Sequence, residues 1–144
     1  MVMDDGADWR EARRHAVHAH AAADERLRQA EQAEAAGLVR AFVAEAQHRG
    51  LATTRLAALS YDGRHRYRTR LHGWYVDRAQ RRAIDLAGRF HLLTVPASLR
   101  SLLFGATPEP SPPPLVIGRG GRDGESLPLE VLLRRRLSAG DDWP

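Results

Sequence analysis

The chain has 144 residues with 22 arginines, no lysine, no cysteine and no asparagine, and its formal net charge is +4. That length suits one domain with a real hydrophobic core. The missing cysteine excludes disulfides and thiolate chemistry, and the missing asparagine excludes N-glycosylation. No apolar run approaches the ~20 residues of a membrane span, and the opening MVMDDGAD lacks the basic-then-apolar order of a secretory signal. A cytoplasmic protein with no membrane partner is expected.

In chain order, Asp8 to Arg49 is rich in Ala, Glu, Gln, Arg and Leu and free of proline, which predicts a helix led by the acids Asp4, Asp5 and Asp8. Its first part carries a stripe of alanines that can bury little area, so this part is either a thin coiled-coil seam or a solvated extension, the second being the favoured reading. Gly37 is expected to break or kink it. Beyond Gly37, Leu38, Val39, Phe42, Val43 and Ala46 form an amphipathic face fit to pack on a sheet, and Gly50 marks the end.

Residues 53–95 predict the sheet. Thr53–Ser60 is a first strand, and Asp62-Gly63 has the composition of a tight hairpin turn. Arg64 to Val76 then alternates, with His65, Tyr67, Thr69, Leu71 and Tyr75 on one face and Arg66, Arg68, Arg70, His72 and Trp74 on the other. A short strand at Arg82–Leu86 follows, then Arg89–Val95, whose apolar residues on both faces predict a covered strand. Pro96 opens a short helix ending at Gly105, with Leu99, Leu102 and Leu103 as its expected buried side.

The stretch TPEPSPPP, Thr107–Pro114, must be extended. It leads to the apolar Leu115-Val116-Ile117, a glycine loop at Gly118–Gly124, and a last helix over Leu127–Ser138 capped by Ser126. Leu129, Leu132, Leu133 and Leu137 make its apolar side, Arg134–Arg136 suit its carboxyl end, and the tail GDDWP is expected to fray. The predicted class is α+β: an N-terminal helix, a four-stranded antiparallel meander, a short helix, and a proline-tethered C-terminal strand, loop and helix. The expected divisions are an Ala-rich helical extension at 1–36, an α+β core at 37–105, and a Pro-rich linker with a docked arm at 106–144.

Charge singles out the sheet. Residues 51–105 hold ten arginines and three acids, an excess larger than that of the whole chain. A localised basic field attracts polyanions better than the same charge spread evenly. Arg64, Arg66, Arg68 and Arg70 on one strand face would form a ridge with steps of ~6–7 Å that can track phosphates. Trp74, with Tyr61 and Tyr75, could stack on bases. Arginine enrichment alone also follows from GC-rich coding, and an ordinary solvated sheet face is the plainer reading.

Arg119, Gly120, Gly121 and Arg122 could form an anion nest before the last helix. However, Asp123 stands where a dinucleotide fingerprint needs its third glycine, and no Gly-Lys-Ser/Thr makes a P-loop. Among His15, His18 and His20 only the first two share a helix face, and no carboxylate completes a metal set. Dispersed acids such as Asp77 and Asp85 could form an acid–base pair, but their spacing carries no signature of one. No catalytic residue, metal ligand or cofactor is therefore assigned.

The strings GWY at Gly73–Tyr75 and SPPPLVIGRGGRDGES at Ser111–Ser126 resemble a group of small uncharacterised actinobacterial proteins over roughly residues 37–137. The resemblance implies a shared fold and a bacterial source and supplies no activity. Three functions are carried forward. The first is a non-enzymatic accessory module with a protein partner. The second is nucleic-acid or polyanion binding through the arginine face. The third is an enzyme or ligand-binding domain for a phosphorylated small molecule at Gly118–Gly124.

Overall fold

In the computed structural model α1, Asp5–His48, runs unbroken through Gly37. A Cβ at Gly37 would meet nothing closer than 3.7 Å, so no packing demands a kink there. One glycine costs a helix only about 1 kcal/mol, too little to interrupt forty-four residues of good helix formers. The described residues are 5–118 and 126–143. Every residue of α1 up to Glu34 is exposed, whereas Ala35, Val39, Phe42 and Ala46 are buried at a four-three-four spacing. The helix closes with paired bonds, Gly50 N–H to Gln47 O (3.1 Å) and Leu51 N–H to Ala46 O (2.8 Å), with Gly50 at φ 65°. This is a Schellman closure, and it turns the chain straight into the sheet.

The fold is α+β, as the sequence predicts, with an antiparallel meander of β1 (Thr54–Ser60), β2 (Arg66–Tyr75), β3 (Arg82–Asp85) and β4 (Phe90–Leu92). The expected last strand divides in two. After Leu93 the chain continues as β5 (Thr94–Val95), which pairs parallel to β1, giving the order β4-β3-β2-β1-β5. Only Leu93 separates β4 and β5, yet they lie at opposite ends of that order. Leu93 donates to Arg81 O and accepts from Leu59 N, both at 2.8 Å. One extended run therefore joins the sheet's two edges and closes it into a small barrel, with the first half of β2 left uncovered by β3.

Closure requires a bent β2, and the bend is built from two devices. Ala57 pairs with Arg68 but Arg55 pairs with His72, so β2 carries two extra residues. The Thr69 hydroxyl fills this bulge by donating to Leu56 O and accepting from Leu71 N. At Gly73, β2 crosses β3 so closely that a Cβ would lie 2.0 Å from Ile84 O.

The barrel wall has two buried faces. Trp74, Val76, Ile84 and Phe90 pack with Val39 and Phe42 of α1 and with the leucines of the C-terminal arm. Phe42 meets Trp74 edge-on at 5.9 Å, and the indole N–H of Trp74 donates to Leu51 O. Leu56, Tyr75, Ala83 and Leu93 form the second cluster. This explains why Arg89–Val95 reads as apolar on both sides: Phe90 belongs to one cluster and Leu93 to the other.

The segment after β5 departs from expectation. α2, Leu99–Phe104, buries none of its residues. It lies across the edge of β2 over residues that β3 does not cover. Ser98 N–H is held by Tyr67 Oη (3.1 Å), and Ala106 N–H by Arg68 O (2.8 Å). With Tyr67 and Thr69 already filling the wall beneath, Leu99, Leu102 and Leu103 are left outside.

The proline stretch is tied to the barrel by Ser111 N–H to Phe90 O (2.8 Å). It delivers β6 (Val116–Ile117), which pairs with β7 (Leu127–Pro128). α3 then spans Leu129–Ala139, two residues later than expected, because Leu127 and Pro128 are strand and Ser126 is not its cap. Leu129, Leu132 and Leu133 enter the core. The tail is docked rather than frayed: Asp141 accepts from Ala52 N–H (2.9 Å), and the Trp143 ring meets the guanidinium groups of Arg78 (5.7 Å) and Arg136 (4.9 Å). No helix among the described residues is long and apolar enough to cross a membrane.

Candidate nucleic-acid interface

The alternation that the sequence predicts for β2 is present along its first half. Arg66, Arg68 and Arg70 are exposed, and Tyr67 and Thr69 between them are buried. Arg64 is exposed at the preceding turn. Arg66 differs from the rest, since its guanidinium donates to Gln80 Oε1 (2.9 Å) and Tyr75 Oη (3.2 Å) and is held against the barrel. Arg64, Arg68 and Arg70 form no ion pair with any described carboxylate, in contrast to Arg28, Arg49, Arg82 and Arg89, which pair with Glu25, Glu45, Asp77 and Asp85. No acid of α1 reaches the ridge. Arg55, opposite His72 across the strand pair, adds a further exposed cation.

The turn before the ridge is wider than a two-residue hairpin. Ser60 N–H donates to His65 O (3.0 Å), which leaves Tyr61 to Arg64 as the loop. Asp62 holds it open by accepting from the Ser60 hydroxyl (2.6 Å) and Arg64 N–H (3.0 Å). Those donors keep the Asp62 carboxyl below its ordinary range, the Ser60 hydroxyl contributing most. This acid is spent on the turn, and Tyr61 beside it is exposed.

The aromatic assignments need correcting. Trp74 is 2 % exposed and belongs to the core against Phe42, because the crossing at Gly73 turns it toward α1. Tyr75 is buried and uses its hydroxyl to accept from Ala57 N–H (2.8 Å) and Arg66. Neither can stack on a ligand. Sequence reasoning missed Phe104, which is 80 % exposed on α2. The available signal was the run LRSLLF, with too many apolar residues for a single buried side.

Arg119, Gly120, Gly121 and Arg122 lie outside the described residues. Asp77 and Asp85 each hold a turn. Asp77 accepts from the backbone N–H groups of Arg81 and Arg82 and pairs with the Arg82 guanidinium, closing the β2–β3 turn. Asp85 does the same for β3–β4, accepting from the N–H groups of Ala87 and Arg89 with one oxygen and from Arg89 Nε with the other, which also meets His91 Nε2 at 2.8 Å. No cluster of three or more metal-ligating side chains occurs among the described residues.

Asp85 gives the fold an acid-sensitive latch. Burial pushes its carboxyl up, but hydrogen bonds from His91 and Arg89 outweigh that and hold it below its ordinary value. A carboxyl with a depressed folded-state value stabilises above its unfolded-state pKa of about 3.9, and this contribution is lost as pH falls through the folded value. The urea midpoint should therefore drop below about pH 4 in the wild type. Asp85→Asn should start lower at neutral pH and show a flatter acid limb; parallel acid limbs would mean that other carboxyls set the dependence.

No protein-family model matches the chain, and no curated protein and no solved structure matches it.

Proposed function

We propose that this protein is a non-enzymatic binding module whose arginine face takes nucleic acid. The observation that carries the reading is the grouping of exposed cations: Arg68 and Arg70 on the first half of β2 and Arg64 at the turn before it stand exposed without a carboxylate partner among the described residues. Arg68 and Arg70 project from β2 and Arg64 from the turn before it, all carried by the barrel wall. Such a row offers a backbone-tracking contact that is independent of base sequence. A cytoplasmic setting, where nucleic acid is accessible, belongs to this proposal. A second reading, docking of a protein partner, is favoured by Leu99, Leu102 and Leu103 of α2, which are exposed.

The test is binding of a fluorescent 15-nucleotide probe followed by anisotropy across a salt series. Changing Arg64, Arg68 and Arg70 together to Gln should weaken binding at least tenfold and lower the salt slope by roughly 2–3, about one for each phosphate contact removed. Stability should change by no more than about 0.5 kcal/mol per site, as for other surface changes. Equal binding by the triple variant would place the contact elsewhere, and no wild-type binding at low salt would end the reading.

A further inference from the structure

We infer that the arginine face takes single-stranded rather than duplex nucleic acid, with Tyr61 and Phe104 as the platforms on which its bases stack; this rests on the reading just proposed. Both rings are displayed to solvent, Tyr61 at 67 % and Phe104 at 80 % exposure. Both also adjoin the ridge. Tyr61 follows the last residue of β1 and shares its turn with Arg64. Phe104 precedes Gly105, where an added Cβ would lie 3.9 Å from Arg68 Cβ, and the next residue is bonded through its N–H to Arg68 O.

A duplex presents phosphates outside and hides its base faces, so exposed rings beside the arginines would gain nothing from it. An unpaired strand supplies both anionic phosphates and apolar base faces, and this surface supplies a partner for each.

Two further features fit that ligand. The first is charge: α2 contains Arg100 and no acid, and the carboxylate of the adjoining turn, Asp62, is engaged by Ser60 and Arg64 N–H. The second is rigidity. Hydrogen bonds at Ser98 and Ala106 staple α2 at both ends, and Gly105 sits at φ 84°, a left-handed conformation that sets the exit of the helix. A ring held by a fixed backbone loses little freedom on binding, unlike one on a mobile loop. Leu99 and Leu103, 79 % and 70 % exposed, extend the apolar surface beside Phe104, where a base can lie without losing hydrogen bonds.

The experiment compares labelled oligothymidylate of 15 nucleotides with a duplex of equal length at one salt concentration. It uses wild type, Phe104→Ala, Tyr61→Ala, the double variant, Phe104→Tyr and the arginine triple variant. The single strand should bind wild type at least tenfold more tightly than the duplex. Each alanine change should weaken single-strand binding by roughly five- to hundredfold, the range for loss of one stacked base. The salt slope should remain unchanged in the alanine variants, because no phosphate contact is lost, and Phe104→Tyr should bind like wild type.

Equal affinity for duplex and single strand would overturn the inference. So would undiminished single-strand binding by the double alanine variant while the arginine triple variant loses it; in that case the arginine reading stands and stacking falls. If wild type binds neither probe, both fall. If wild type sediments as a dimer that Phe104→Ala dissolves while single-strand binding is unaltered, α2 is a contact between copies and the inference fails.

Discussion

Gly73→Ala should destroy the native fold. The new methyl would lie 2.0 Å from Ile84 O and 2.7 Å from Asp85 Cα, both backbone atoms that no rotamer change can move. Overpacking against yielding side chains costs about 1–3 kcal/mol. Here the two central strands would have to separate where Gly73 pairs with Asp85, so the loss should exceed about 4 kcal/mol. That is a large share of the roughly 5–15 kcal/mol that holds a domain together. The expected outcome is insoluble expression, or a soluble chain lacking near-ultraviolet ellipticity. Gly37→Ala is the matched control, since a Cβ there meets only the Arg40 guanidinium, at an ordinary 3.7 Å. That change should stabilise the helix by about 0.5–1 kcal/mol. A Gly73→Ala protein melting within two or three degrees of wild type would show that β2 and β3 do not cross as described.

Arg136→Leu is the second large effect. Arg136 is 5 % exposed, donating from Nε to Tyr75 O (2.7 Å) and from Nη1 to Gly140 O (2.8 Å), with the Trp143 ring 4.9 Å away. Burial depresses its pKa, with the Asp141 charge partly opposing that, yet an arginine in this range stays charged. The side chain joins β2, α3 and the tail. Hydrogen bonds to a charged group contribute about 1.5–3 kcal/mol each, so Arg136→Leu should cost roughly 3 kcal/mol or more in urea unfolding. Arg136→Lys should recover little of that, because a single ammonium cannot reproduce a planar fork spanning two carbonyls. Full recovery by lysine would mean that charge alone matters at this position.

These residues also show what the sequence could and could not convey. The strands of the meander, the exposed arginine face and the buried helix face from Val39 to Ala46 were legible because each is a local periodicity, two for a strand and 3.6 for a helix. Closure of the barrel was not. Pairing of Leu59 with Thr94 joins distant residues, and nothing in either local sequence records which edge the run after Leu93 will meet. Arg136 was indistinguishable from Arg134 and Arg135, since its burial is decided by a tryptophan seven residues later and a strand residue sixty-one positions earlier. Trp74 was assigned by parity to the arginine face, and parity holds only while a strand stays straight. The bulge at Thr69 and the crossing at Gly73 end that condition. For α2, apolar spacing implied burial, whereas the space beneath was already filled by Tyr67 and Thr69.

The unsupported length of α1 has a thermodynamic consequence. Thirty residues, Asp5–Glu34, bury no side chain, while the last turns are fastened to the core. An isolated helix must first nucleate, the unfavourable step of its formation. Here the anchored end provides the nucleus, and the remainder adds one residue at a time. The segment therefore behaves as a zipper secured at one end, opening from Asp5 toward Ala35 while the barrel remains intact. Helix content and barrel stability are separate quantities in this molecule. Far-ultraviolet ellipticity, dominated by α1, reports mainly on the zipper.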